Sequence, residues 1–162
     1  MLHELPLSQG KVALVDDEGW AKASPFKWCA SRNRNRNTFY ASRWHDGAKV
    51  RLHRFLLDAP PGVEVDHENG NGLDNRYLNL RLATTAQNQW NQGLQASNTS
   101  GYKGVSYVKG RCKWLAMIRI NGRNTTLGRF AIAEEAAAAY DAAALQHRGE
   151  FARTNEMLRN AS

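Results

Sequence analysis

The chain has 162 residues, 42% of them apolar, and a formal net charge of +7. That suits one domain or two small ones with a packed core, and excludes a disordered chain. No apolar run reaches membrane-spanning length and no signal-peptide-like stretch opens the chain; Cys29 and Cys112, too few for a four-thiolate zinc site, read as free thiols, so a cytoplasmic setting is expected. Charge is uneven. Residues 1–52 carry nine Lys/Arg against five Asp/Glu, residues 53–96 three against five, and residues 97–162 ten against five. Two basic flanks around an acidic middle suggest a polyanionic partner, with a cation at the centre.

In chain order, Lys11–Val15 reads as a strand and Asp16–Gly19 as a turn. Trp20, Phe26 and Trp28 supply core aromatics. The alternating "RNRNRN" of residues 32–37 reads as a hairpin loop between strands at 27–30 and 38–43, either plainly solvated or gripping phosphate. Residues 53–57 fit a strand or a short helix, stopped by the prolines at 60 and 61. Residues 63–66 read as a strand, 69–75 as a loop rich in Asn and Gly, and 78–82 as the returning strand. Thr84 or Thr85 caps a helix over 86–94, and 95–98 is linker-like.

The last segment shows three strand-like runs, 104–108, 113–120 and 125–130, with turns at Gly110 and at Asn121–Gly122, the latter a strong hairpin signal. The run "AIAEEAAAAYDAAALQHRGE" is a helix, with acids in its first turn, His147 and Arg148 in its last and Gly149 just beyond. Period two along 113–120 puts Trp114, Ala116, Ile118 and Ile120 on one face, suited to that alanine-rich helix and Tyr140. Lys113, Leu115, Met117 and Arg119 share the other face, which suits contact with DNA.

The stretch "VDHENGNGLDNRYLNLRLATTAQNQWN" joins an Asp–His pair to many asparagines. In a strand–loop–strand–helix layout, Asp66 and His67 end the first strand, Asn79 starts the second and Asn88 lies one turn into the helix. Asp66 and Asn88 can then converge on a hard cation, Mg²⁺ or Mn²⁺, leaving positions for water and a phosphate oxygen. His67 faces away and can activate a water as general base, with Asn79 fixing the imidazole by hydrogen bonding. Asn69, Asn71 and Asn75 read as loop formers. An EF-hand fails, because its sixth and twelfth positions, counted from Asp66, are Asn71 and Tyr77.

Residues 53–92 resemble the HNH nuclease motif of the His-Asn-Asn kind found in phage and intron-associated homing endonucleases, through "VDH", "LDNRYLNLRLAT" and "AQNQWN". The resemblance implies metal binding by Asp66 and Asn88, His67 as general base and Asn79 as its orienter. His53 matches an upstream family histidine of undefined role, and Glu68 departs from the usual pattern. Residues 99–155 resemble an AP2 DNA-binding domain through "YKGVSY", "KWLAMIRINGR", "TLGRF" and "AEEAAAAYDAAALQHRG". That resemblance implies a groove-facing sheet with Lys103, Gly104 and Arg119 toward DNA. Ser106, Met117 and Thr126 depart from the plant pattern, so the target sequence does not carry over. Arg111, Lys113 and Arg123 join the DNA-binding set by position and charge.

The expectation is therefore an α+β protein. A β-rich basic segment (1–52) leads into a ββα-metal nuclease unit (53–94), a linker (95–98), an AP2-like domain (99–155) and a tail (156–162). Its expected activity is metal-dependent cleavage of double-stranded DNA, with one site per chain and nicking by a monomer, inside a bacterium or phage-infected cell. A DNA-binding regulator with an inert nuclease motif, or an RNA-binding module, remains the alternative.

Overall fold

In the computed structural model, which describes residues 1–33 and 38–160, the N-terminal alternation of apolar and polar residues folds as an antiparallel hairpin of β1 (Leu2–Pro6) and β2 (Val12–Asp16). Leu5, Ala13 and Val15 point inward. The Asp16–Gly19 stretch, expected as a turn, instead starts α1 (Asp17–Ala23). Asp16 Oδ1 accepts the Gly19 N–H at 3.0 Å, and two acids occupy the positive first turn. A meander follows, β3 (Cys29–Asn33), β4 (Thr38–His45) and β5 (Ala48–Arg51), with β4 central. Residues 34–37 of the "RNRNRN" loop lie outside the described residues.

Leu52–Leu56 is a helix, α2, because Leu52, His53 and Leu56 share its inward face. Then come β6 (Glu64–His67), paired antiparallel with β7 (Leu80–Ala83), and α3 (Thr85–Trp90). The returning strand is shorter than expected, since residues 77–79 form a 3₁₀ turn, and α3 ends at Trp90 rather than near 94.

One hydrophobic core spans both parts of this unit: Leu5, Ala13, Val15 and Trp28 pack with Leu52, Leu56, Val65 and Leu80. Residues 1–52 are therefore not a separate segment. The chain divides at Gln89/Trp90, not at a linker over 95–98. Phe26, expected in the core, is partly exposed and lies 4.0 Å under the Arg43 guanidinium.

The second unit, Trp90–Ser162, contains the expected antiparallel sheet: β8 (Val105–Val108), β9 (Lys113–Ile120) and β10 (Arg123–Phe130), with β9 central. Ala116 and Ile118 of β9 pack on Ala136, Ala137, Tyr140 and Ala144 of α4 (Ala133–Arg148). Alanines on that helix face allow close approach to the sheet. The tail contains a further helix, α5 (Asn155–Asn160). Asp141 Oδ1 holds it from α4, accepting both the backbone and side-chain N–H of Asn155 at 2.8 Å. Among the described residues no helix is long and apolar enough to cross a membrane.

Two residues expected to face DNA serve inside this unit. Gly104 has φ +74°, and a Cβ there would lie 2.0 Å from the Tyr140 ring. It is a packing glycine. Lys103 Nζ donates to the carbonyls of Trp90 at 2.5 Å and Gln92 at 2.6 Å. Burial, reinforced by Arg148 and Arg153, pushes its pKa down to about 7. An amine committed to two carbonyls is a poor phosphate ligand.

Gly104→Ala is expected to destabilise the second unit by about 2–4 kcal/mol, from left-handed strain plus overpacking. Chemical denaturation of the full chain, followed by far-ultraviolet circular dichroism for the loss of α4, measures it.

Candidate active site

Strand β6 has two chemically different faces, because side chains alternate along it. Glu64 and Asp66 occupy one. Val65 and His67 occupy the other, turned toward the core. Asp66 is only 3% exposed, and its cross-strand neighbour in β7 is Arg81. Arg81 Nε and Nη2 donate to Asp66 Oδ2 at 3.0 and 2.9 Å, so the buried carboxylate is ion-paired.

Asn88 reaches the same face from α3, where its side-chain amide donates to Glu64. A capping box sets the start of that helix. Gln87 N–H donates to Thr84 Oγ1 at 3.2 Å, and Thr84 N–H donates to Gln87 Oε1 at 2.8 Å. Glu64, Asp66 and Asn88 thus bring two carboxylates and an amide together. Hard oxygen donors of this kind suit Mg²⁺ or Mn²⁺. Among the described residues no group of three or more His, Cys, Asp or Glu is placed to hold a metal ion, so a cation here would rest on two carboxylates and an amide at most.

His67 is buried on the opposite face. Its Nε2 lies 3.3 Å from Asn75 Oδ1. Its ring meets His53 edge-on at 4.9 Å and Tyr40 at 5.7 Å between centroids. This contact suits the tautomer with its proton at Nε2 and its lone pair at Nδ1.

The asparagines between β6 and β7 build the loop that delivers Asn75. Asn79 Oδ1 accepts the Asn69 N–H at 3.0 Å, while its amide donates to the Asp74 carbonyl at 2.7 Å. Asn69 and Asn71 accept N–H groups two residues ahead, at 2.8 and 3.1 Å. Arg76 grips both Asp74 oxygens, at 2.8 and 2.6 Å. The loop also docks on β2: Leu14 N–H donates to the Leu73 carbonyl at 2.8 Å, and Asn75 N–H to the Leu14 carbonyl at 2.7 Å. Gly72 lies so close to β4 that a Cβ would sit 2.4 Å from the Phe39 carbonyl.

The structure therefore brings Asp66 and Asn88 to one face and His67 to the other. Asn79, expected to fix the imidazole, has both ends of its amide engaged within the loop. Asn79 spans the loop, and Asn75, expected as a loop former, touches the imidazole. The reason is that Asn79 sits at the base of the loop, where satisfying its backbone occupies both ends of the amide. Three neighbours were missed. Glu64 was accessible through period two from Asp66, and Arg81 through strand pairing. Tyr40, far before His67 in the chain, carries no local signal. In the second unit Arg111, Lys113, Arg119 and Arg123 are exposed, and Arg119 Nε donates to the Gly122 carbonyl at 3.1 Å.

Comparison with known proteins bears on the same stretch of sequence. The profile of a family described as HNH endonuclease matches residues 58–90, the stretch that holds β6, the loop, β7 and α3. Protein 3.8 of Escherichia phage T7 is 37% identical over 94 residues, which are 58% of this chain and 77% of that protein. An uncharacterized HNH endonuclease of Acanthamoeba polyphaga mimivirus is 30% identical over 155 residues, 92% of this chain and 77% of that protein.

His53 is 3% exposed, and its Nδ1 has no partner among the described residues. Burial first, then His67, Arg51 and Arg54, hold its pKa well below the ordinary 6.5. Its neutral form belongs to the fold, so the stability it contributes is complete above pH 6.5 and is lost as pH falls toward the depressed value. Thermal melts between pH 7.5 and pH 5 are expected to show that loss. His53→Gln should flatten the pH slope, whatever it does to the absolute melting temperature.

Proposed function

The chain belongs to the HNH endonucleases, and from that premise we propose that it hydrolyses phosphodiester bonds of double-stranded DNA with His67 as general base and a divalent cation, Mg²⁺ or Mn²⁺, held by Asp66 and Asn88. The observation that carries this reading is the division of labour across β6. A carboxylate–amide oxygen set stands on one face, and an imidazole anchored through Nε2 on the other. Asn75 holds the ring so that Nδ1 is the proton acceptor, and the loop spanned by Asn79 holds Asn75. His67 Nδ1 takes the proton of the attacking water. Asp66 is aimed by Arg81, which must share it with the cation. When bound, the cation supplies Lewis-acid stabilisation of charge developing on the phosphate and on the leaving oxygen.

In this proposal the second unit is AP2-like and holds the target. Its support is the three-stranded sheet backed by α4, with Lys113, Met117 and Arg119 on the uncovered face of β9 and Arg123 at the start of β10. Arg111, Lys113, Arg119 and Arg123 contribute phosphate and base contacts. Homing-type action, with nicking by a monomer carrying one site, follows from the resemblance. One observation favours a second reading, a DNA-binding regulator with a silent site: Asp66 is already neutralised by Arg81.

Cleavage of supercoiled plasmid at low salt with Mg²⁺ or Mn²⁺ decides between them. Wild type is expected to yield open circles, and His67→Ala to lose about 10²- to 10⁴-fold in rate while binding DNA normally. Asn75→Ala should lose about 10- to 100-fold in kcat with unchanged DNA affinity, the range for a group that orients a working histidine. Mn²⁺ binding followed by electron paramagnetic resonance should weaken in Asp66→Ala and Asn88→Ala. Wild-type binding without cleavage on either metal would establish the regulator instead.

A further inference from the structure

The meander of the first unit has a face that the site only partly covers. Strand register places Ser42 opposite Arg51 and Trp44 opposite Lys49, and alternation adds Tyr40 to the same face. One end of this face is occupied by the site. Tyr40 touches the rings of His67 and His53, and Thr38 Oγ1 accepts the Gly72 N–H at 3.3 Å. The other end is open. Trp44 is 73% exposed, and Lys49 and Arg51 are exposed too. The Arg51 guanidinium lies over the Tyr40 ring, 5.4 Å from its centroid, so it is held one side chain away from His67. Among the described residues neither Lys49 nor Arg51 has a carboxylate partner. Cations left unpaired beside a hydrolytic site, in line with an exposed indole, match a polyanionic strand.

We infer that this outer face of the β3–β4–β5 sheet carries the sugar–phosphate backbone of the cleaved DNA strand to His67, with Arg51 and Lys49 on neighbouring phosphates and Trp44 against the nucleotide beyond them. The inference rests on the nuclease reading for its choice of strand. Two residues along a strand span about 6.7 Å, which is the order of the spacing between successive phosphates. The face is rigid, because Arg51 leads directly into α2 and Ser42 bonds Ser31 across the sheet at 2.7 Å. A bound strand therefore meets charges that are already in place, and little side-chain freedom is lost at Arg51.

The full chain tests this by DNA binding across a KCl series in Ca²⁺, with single-turnover cleavage in Mg²⁺ measured in parallel. The Lys49→Ala/Arg51→Ala pair is expected to reduce the slope of log affinity against log salt by about 2, near 0.9 for each phosphate contact. Arg51→Lys should retain the slope, which separates lost charge from lost fold. Trp44→Ala should weaken binding about fivefold or more at unchanged slope. Lys27→Ala, an exposed cation outside the sheet, is the control. An unchanged slope in the pair, or an equal change in the control, would overturn the inference even if wild type cuts DNA. A reduced slope with no cutting by wild type would keep the face as a DNA surface and remove the nuclease reading alone.

Discussion

Asn75 is fully buried between two demands. Its backbone N–H donates to the Leu14 carbonyl, and its side-chain oxygen faces His67. Both contacts hold only if the loop from Glu68 to Asn79 keeps one shape, and that shape depends on the N-terminal hairpin. A buried loop must find partners for its own backbone, and here β2 supplies them as an extra strand would. Asp16 extends the tie. Its Oδ1 caps α1 and its Oδ2 accepts the Tyr77 N–H at 2.8 Å, joining the first helix to the far end of the loop. The hairpin is thus part of the site's support.

Electrostatics divides the site along the same strand. On the oxygen-donor face, negative charge is concentrated at Glu64 and Asp66 and balanced by Arg81. Removing one partner of such a buried pair leaves an uncompensated charge, whereas a divalent cation replaces the balance. On the imidazole face His53, His67 and Tyr40 pack ring against ring. Burial keeps His53 uncharged, which spares His67 a like charge at ring contact.

The second unit shows how packing overrides a motif's implied contacts. Lys103 and Gly104 lie in a stretch that resembles a groove-facing one. Tyr140, however, is 3% exposed and takes the space above Gly104, while the carbonyls at 90 and 92 need the Lys103 donors. Gly104 is held by close packing, and Lys103 by the two carbonyls it satisfies. The cations that stay outside, Lys113, Arg119 and Arg123, are those that alternation and the Asn121–Gly122 turn leave away from α4.

By itself the sequence determined the α+β class, the order of strand, loop, strand and helix around Asp66 and Asn88, the opposed directions of Asp66 and His67, and the alanine face of α4. All of these are local. They follow from periods of two and 3.6, from Asn–Gly turns and from capping residues, and each is written within about twenty positions. Only the tertiary structure decided that residues 1–52 share a core with the site, that Asn75 rather than Asn79 touches the imidazole, that Arg81 holds Asp66 and that Lys103 is consumed inside its unit. Those outcomes depend on which buried polar group lies nearest to which donor, and that competition is settled by packing between segments far apart in the chain.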